Sequence, residues 1–280
     1  MNNGKIGLLL CYLELYEEVC SKEITLESAA FGEVIKREYE ERGVKVVMSP
    51  VCRKTDEFRV AVSSFETENV DAIVTLHLAY SPSLESIEVI SRTKLPLIIL
   101  DTTPDYEFGF EQKAERIMFN HGIHGVQDFC NMLVQRGKRF FLEVGHWKES
   151  DVIHRTIEIL KGCVAAKAMK NARVGIIGKP FQGMGDFIVP FEKLKANIGM
   201  EVISASSEKI AELMPGLDSK NVTDEIQKDL KNFTKGDFSQ DSLVLSENAG
   251  LGVRRWLEEE KLSAWTVNFQ DIVGALGLPV

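Results

Sequence analysis

Two histidines stand three residues apart in the stretch FNHGIHGVQDF (119–129), and a glycine follows each of them. Imidazole nitrogens bind divalent metals and exchange hydrogen bonds with hydroxyl groups, so His121 and His124 could serve a metal or a polar ligand. A zinc site usually adds Cys or carboxylate ligands at matched spacing, and Asp128 is the only carboxylate nearby. A loop with a purely structural role is the third interpretation.

Gly122 and Gly125 predict a loop that runs into a helix over 124–136, which Gly137 ends. In open parallel α/β sheets, ligands bind where helix N-termini meet the carboxyl edge of the strands. Substrate binding is therefore the interpretation that the pattern favours for the two histidines.

Other strand ends carry residues capable of chemistry. In LHLAYSP (76–82), His77 and Tyr80 follow a predicted strand, and Pro82 is typical of a helix start. His77 could be a buried structural histidine or could face a ligand, and the sequence leaves both interpretations open. The segment VGHW (144–147) likewise follows the end of a predicted strand. The glycine-rich VGIIGKPFQGMGDF (174–187) does not spell the dinucleotide-binding motif, so it predicts a turn that lets the backbone approach a ligand.

Composition excludes several classes of protein. The chain has 280 residues and a formal net charge of −9, and this acidity argues against non-specific nucleic-acid binding. No segment approaches the roughly 18 apolar residues of a membrane helix, and the first apolar run is broken by Glu14, as in a core strand. Five widely spaced cysteines favour reduced thiols and a cytoplasmic location.

Short apolar strands alternate with amphipathic helices along the whole chain. Strands this apolar are buried on both faces, which predicts parallel sheets covered by helices, that is, an α/β fold with two doubly wound domains. We place an N-terminal domain over 1–171 and a central domain over 172–280. The predicted strands cover 5–12, 44–48, 71–77, 95–101, 139–144, 201–206 and 263–269, and 172–179 is predicted to open a further strand–helix unit. The predicted helices cover 26–39, 54–67, 82–93, 124–136, 150–171, 207–214, 222–233 and 240–260.

The last segment, FQDIVGALGLPV (269–280), follows a strand without a closing helix, so we expect the second domain to be incomplete at its C-terminus. Strand 263–269 is apolar enough for burial on both faces. An apolar patch around Trp265, Phe269, Ile272 and Leu276 is therefore expected to be exposed or to drive self-association.

Taken together, LHLAYSP, NHGIHGVQDF, VGHW, the loop around Met184, ENAGLGVRRWLEEEKLSAWTVNFQD and LGLP resemble the L-arabinose/L-fucose isomerase family. The resemblance implies an N-terminal and a central α/β domain, and aldose–ketose isomerisation by a homo-oligomer with active sites between subunits. It also implies a divalent metal, usually manganese, in the full-length enzyme.

The resemblance also implies roles for single residues. His124 of one protomer would contact the sugar that is bound in the active site of its neighbour. His121 would stand at a position where the family usually has a glutamine that makes the same kind of contact. Leu15 would touch the ligand from the loop after the first strand. Met184 and Phe269 would form apolar walls of the site in the central domain, and Tyr80 would match an aromatic residue of the same wall.

The family's acid/base carboxylates and metal histidines match no part of this chain, so we expect no catalytic residue and no bound metal in it. The chain is expected to bind a monosaccharide and to be inactive alone. The alternative is a non-catalytic, two-domain sugar-binding or regulatory module. The interpretation as a nicotinamide-dependent oxidoreductase rests only on the imperfect glycine pattern at 175–185.

Overall fold

The computed structural model describes residues 3–19, 22–181, 183–234 and 236–271. The chain divides into two compact units, Met1–Ala165 and Ala166–Val280. This division lies inside a helix, a few residues before the boundary predicted at 171, and that boundary stays a prediction. Within the described ranges, no helix is both long and apolar enough to cross a membrane.

The first unit is built on a five-stranded parallel sheet with the strand order β2-β1-β3-β4-β5. Because β2 lies on one side of β1 and the later strands lie on the other side, the strand order reverses at β1. The carboxyl end of β1 is therefore the point where open α/β sheets hold ligands. The strands are β1 Lys5–Cys11, β2 Lys45–Cys52, β3 Ala72–His77, β4 Leu97–Asp101 and β5 Phe141–Val144.

Helices cover both faces of this sheet. Leu8 and Leu10 of β1 pack in one apolar cluster with Ile35 and Ile157, whereas Leu9 packs in the opposite cluster with residues such as Phe58 and Phe129. This alternation follows from the period of two in a strand, and it makes the unit doubly wound, as predicted. The helices are α1 Leu15–Val19, α2 Lys22–Glu41, α3 Thr55–Thr67, α4 Ser83–Arg92, a 3-10 helix Ala114–Phe119, α5 Gly122–Gln135 and α6 Val152–Lys170.

The second unit contains a three-stranded parallel sheet with the order β7-β6-β8. Its core joins Ile177 and Ile210 with Trp256. Gly175 is required in β6 because a Cβ there would collide with the Trp256 ring. The elements are β6 Arg173–Ile177, α7 Phe191–Ile198, β7 Glu201–Ala205, α8 Ser207–Leu213, α9 Lys220–Asn232, α10 Gln240–Glu259 and β8 Ala264–Val267.

Three elements depart from the sequence prediction. Helix α1 and the 3-10 helix are too short for a periodic apolar signal. Helix α7 has apolar residues at helical spacing (Phe191, Leu194 and Ile198), but it is only eight residues long and buries none of them. The predicted exposure of Trp265 and Phe269 at the end of the second unit is confirmed, since these side chains are 44% and 55% exposed. Ile272 and Leu276, which were predicted to share an apolar patch with Trp265, lie outside the described residues.

Candidate functional site

A cavity of about 690 Å³ opens at the carboxyl edge of β1, β2 and β3, where the strand order reverses. Four pieces of chain line it: residues 13–16 after β1, residues 53–56 at the start of α3, residues Tyr80, Pro82 and Glu85 around the start of α4, and His121 before α5. The parallel fold itself gathers these segments, because every strand of the sheet delivers its carboxyl end to the same edge.

His121 lies on the cavity wall between two tyrosines. Its Nδ1 atom is 3.1 Å from the hydroxyl oxygen of Tyr16, and its ring centroid is 5.7 Å from that of Tyr80. Partial burial lowers the pKa of His121, and the neighbouring His124 lowers it further. The imidazole is therefore neutral at pH 7 and can both donate and accept hydrogen bonds.

His124 is exposed and lies beside His121, with the two ring centroids 4.6 Å apart. Helix α5 was predicted over 124–136 and begins two residues earlier, at Gly122, so His124 lies in its first turn. A Cβ on Gly125 would lie 2.8 Å from the backbone nitrogen of Ser81, so glycine lets α5 approach the end of β3.

His77 belongs to the core rather than to the cavity. Its side chain is buried, Nδ1 is 2.9 Å from the Ser81 hydroxyl oxygen, and its ring lies 5.6 Å from that of Phe129. Burial lowers the pKa of His77 to about 4. Of the two interpretations left open at position 77, the buried structural histidine is therefore the one that the structure supports.

The VGHW segment (144–147) also has a structural role. The His146 and Trp147 rings approach the backbone oxygen of Pro104, with nitrogen-to-oxygen distances of 3.4 and 3.5 Å. Trp147 meets Phe31 edge to face at 6.3 Å between ring centroids. These contacts join the loop after β4 to the segment after β5, and neither residue lines the cavity.

The remaining predicted site residues divide between the two units. Leu15 lines the cavity of the first unit and is 55% exposed. Phe269 lines a separate cavity of about 350 Å³ in the second unit and stacks on Phe181 with ring centroids 5.8 Å apart. Met184 is an exposed residue of the same unit. The ligand contacts predicted for all six residues stay predictions.

Sequence reasoning missed Tyr16, Thr55 and Glu85 on the cavity wall. Thr55 and Glu85 meet across 30 residues of sequence, since one Glu85 carboxylate oxygen accepts hydrogen bonds from the Thr55 amide and hydroxyl, both at 2.9 Å. The sequence pattern did contain a signal for these residues, because each of them directly follows a strand end or lies in the first turn of a helix. Their meeting depends on the order of strands in the sheet, which local patterns do not encode.

Across the described ranges, no group of three or more His, Cys, Asp or Glu side chains is arranged to hold a metal ion. His121 and His124 form a pair without a third ligand of this kind. The manganese that the family resemblance implies therefore does not fit the described side chains, and no chemical step through a metal is derived from them.

The first unit is a doubly wound α/β domain with a cavity at its topological switch point, the place where domains of this architecture hold their ligands. Residues 2–171 match the family model described as the L-arabinose isomerase N-terminal domain, and the chain belongs to this family. The match covers all the segments that line the cavity of the first unit.

Curated relatives agree with this assignment. The chain is 22% identical over 246 residues to L-arabinose isomerase of Shewanella sp. (strain MR-4), covering 84% of this chain and 49% of that protein. It is 22% identical over 249 residues to L-arabinose isomerase of Yersinia pestis bv. Antiqua (strain Nepal516), with the same coverage. The chain thus spans about half the length of the curated relatives it matches. These findings concern L-arabinose isomerases, and the L-fucose part of the resemblance stays a prediction.

Among solved structures, the chain is similar to an ABC transporter periplasmic solute binding protein from Actinobacillus succinogenes 130z with bound D-allose. The sequence identity is 16%, and the alignment covers 94% of this chain and 76% of that one. The TM-score is 0.28, too low for this likeness to support a conclusion about ligand or function.

Proposed function

We propose that this chain supplies the sugar-binding part of a cytoplasmic aldose–ketose isomerase that acts on L-arabinose or a related aldose. The observation that carries the proposal is the cavity at the switch point of the first sheet, within the stretch that matches the family. In the complete enzyme, this cavity would close over the active site of a neighbouring protomer of a homo-oligomer.

The chemistry of the cavity wall suits a monosaccharide. Tyr80 and Leu15 offer apolar surface to the carbon-bound hydrogens of a sugar, and the neutral imidazole of His121 exchanges hydrogen bonds with hydroxyl groups. The Tyr16 hydroxyl group lies at His121 Nδ1 and orients the ring. His124 lies exposed beside His121 and would contact a sugar that extends out of the cavity.

Aldose–ketose isomerisation moves a proton between adjacent carbons, which requires an acid/base group and stabilisation of the oxygens. We propose that the acid/base carboxylates and the manganese ligands of the complete enzyme lie outside the described residues, and that this chain alone does not turn over sugar. The relatives' greater length is consistent with this division of labour.

Titration of the purified chain with L-arabinose, followed by NMR, tests the proposal. We expect His121→Ala and His124→Ala to weaken binding about fivefold each, since a hydrogen bond contributes about 1 kcal/mol. His154→Ala, an exposed histidine on α6 away from the cavity, is the matched control and should leave the affinity unchanged.

The same preparation is then assayed for ketose formation with and without manganese. Binding without turnover is the expected result. Sugar binding that is equally strong in both histidine variants would contradict the assigned cavity. Turnover by the chain alone, after removal of host isomerase, would contradict the proposed location of the acid/base groups.

A further inference from the structure

The N-terminal end of helix α3 lies on the wall of the cavity in the first unit. Thr55 and Asp56, its first two residues, line the cavity together with the preceding Arg53 and Lys54. A helix N-terminus flanked by two basic residues ordinarily binds phosphate, because free backbone N–H groups and positive charge converge there. This end of α3 therefore combines backbone N–H donors with two basic side chains, as sites for sugar phosphates do.

Carboxylates of the chain itself already occupy those donors. Glu85, from the first turn of α4, accepts hydrogen bonds from the Thr55 amide and hydroxyl at 2.9 Å each. Glu57 accepts from the backbone nitrogens of Arg53 and Lys54 at 2.6 and 3.0 Å. An incoming phosphate would have to displace a carboxylate and face its negative charge.

The two cations of the wall are neutralised in the same way. Arg53 donates from Nε to Glu17 at 2.6 Å, and Lys54 forms an ion pair with Glu14. The cavity lining thus holds three carboxylates (Glu14, Asp56 and Glu85) against these two cations. Since His121 is neutral at pH 7, the wall carries no unbalanced positive charge for an anion.

We infer that Glu85 is a specificity-determining residue of this cavity, whose carboxylate closes the N-terminal end of α3 to phosphate groups so that neutral monosaccharides are accepted and sugar phosphates are rejected. The inference names the ligand class of the proposed sugar site and rests on that proposal. Its physical basis is discrimination by a repulsive element, since the same carboxylate that satisfies Thr55 repels a phosphate.

The test compares wild-type chain with Glu85→Gln by NMR titration against two probes, inorganic phosphate and L-arabinose. Glutamine keeps the size of the side chain and an oxygen for Thr55, but it removes the charge. We expect phosphate to bind Glu85→Gln about tenfold more tightly than wild type, with shifts at the Thr55 and Asp56 amides. The ratio of phosphate to L-arabinose affinity should rise by at least the same factor.

Glu88→Gln is the matched control, because Glu88 lies one turn further along α4 in an exposed ion pair with Arg92 and does not line this cavity. It removes the same charge from the same helix and should leave phosphate binding at the wild-type level. An equal gain in Glu88→Gln, or wild-type chain that binds phosphate at Thr55 as tightly as Glu85→Gln, overturns the inference.

A second variant keeps the test decisive if Glu85→Gln does not fold. Glu85→Ala removes the same carboxylate through a different side chain, so we expect a gain in phosphate affinity of the same order, about tenfold. No gain in this variant would then overturn the inference. If no form of the chain binds L-arabinose while Glu85→Gln gains phosphate affinity, the proposed function fails and the role of Glu85 stands.

Discussion

His77 and Asp101 are buried at the carboxyl ends of neighbouring strands, and their ionisation affects stability in opposite directions. Burial lowers the pKa of His77 from 6.5 to about 4, so its contribution to stability is complete above pH 6.5 and is lost as the pH falls towards 4. Burial raises the pKa of Asp101 from 3.8 to about 6, so stability is lost there as the pH rises from 3.8 to 6. The two effects offset each other between pH 4 and 6.

Replacing His77 should reveal its contribution to the pH dependence of stability. We expect His77→Gln to gain stability relative to wild type on going from pH 7 to pH 4, by up to about 3 kcal/mol, because the variant has no buried imidazole to protonate. Urea unfolding at several pH values measures this difference. The exposed His154→Gln should track wild type throughout, and a difference for His77→Gln that stays constant with pH would contradict the assigned titration.

At the scale of single elements, the position of helix α5 depends on the absence of a side chain at Gly125. A Cβ there would lie 2.8 Å from the Ser81 nitrogen and 3.1 Å from His77 Nδ1, both of which are buried behind the helix. The helix carries His124 in its first turn and follows directly on His121. Its approach to β3 therefore sets the distance of both histidines from the cavity wall.

We predict that Gly125→Ala destabilises the first unit by about 1–3 kcal/mol and weakens L-arabinose binding, because the helix must move away from β3 to admit the methyl group. Gly162→Ala in α6 is the matched control, since among the described residues no atom beyond the helix's own backbone and the chain neighbours lies within 4 Å of a Cβ at that position. It should stabilise the chain by up to about 1 kcal/mol through helix propensity. Thermal unfolding measures the stability of both variants. An equal change in stability would mean that the close approach of α5 to β3 does not depend on the glycine at position 125.

For the molecule as a whole, the exposed apolar surface of the second unit has the clearest consequence. Phe187 and Phe269 are 52% and 55% exposed, and Phe181 contacts both rings. Trp265 is also exposed, at 44%. Soluble monomers rarely expose contiguous apolar patches of more than a few hundred Å², so we expect the chain to self-associate in solution.

Light scattering over a range of protein concentrations measures this association. We predict that Phe269→Ser shifts the chain towards monomer, because it removes one ring from the aromatic cluster. Phe233→Ser is the control, since Phe233 is 70% exposed and belongs to none of these ring contacts. Wild-type chain that remains monomeric at every concentration would contradict the prediction, as would an equal effect of the control.

The alternation of short apolar strands with amphipathic helices was sufficient to predict two parallel α/β units. Strands such as β3 and β4 are buried along their whole length, and only a sheet covered on both faces can bury them in this way. Tyr80 follows a strand and His121 precedes a helix, and both line one cavity because parallel strands deliver their carboxyl ends to one edge. These features depend on periodicity, which a single sequence displays.

Tertiary structure alone decided which polar groups are satisfied and which stay free to bind. Glu85 reaches Thr55 only because β2, β1 and β3 are neighbours, which places the first turns of α3 and α4 side by side. His77 and His121 both follow strands or precede helices, yet packing buries one against Phe129 and leaves the other beside Tyr16. Such contacts join residues far apart in the chain, and their strength depends on distances of a few ångströms that no local pattern specifies.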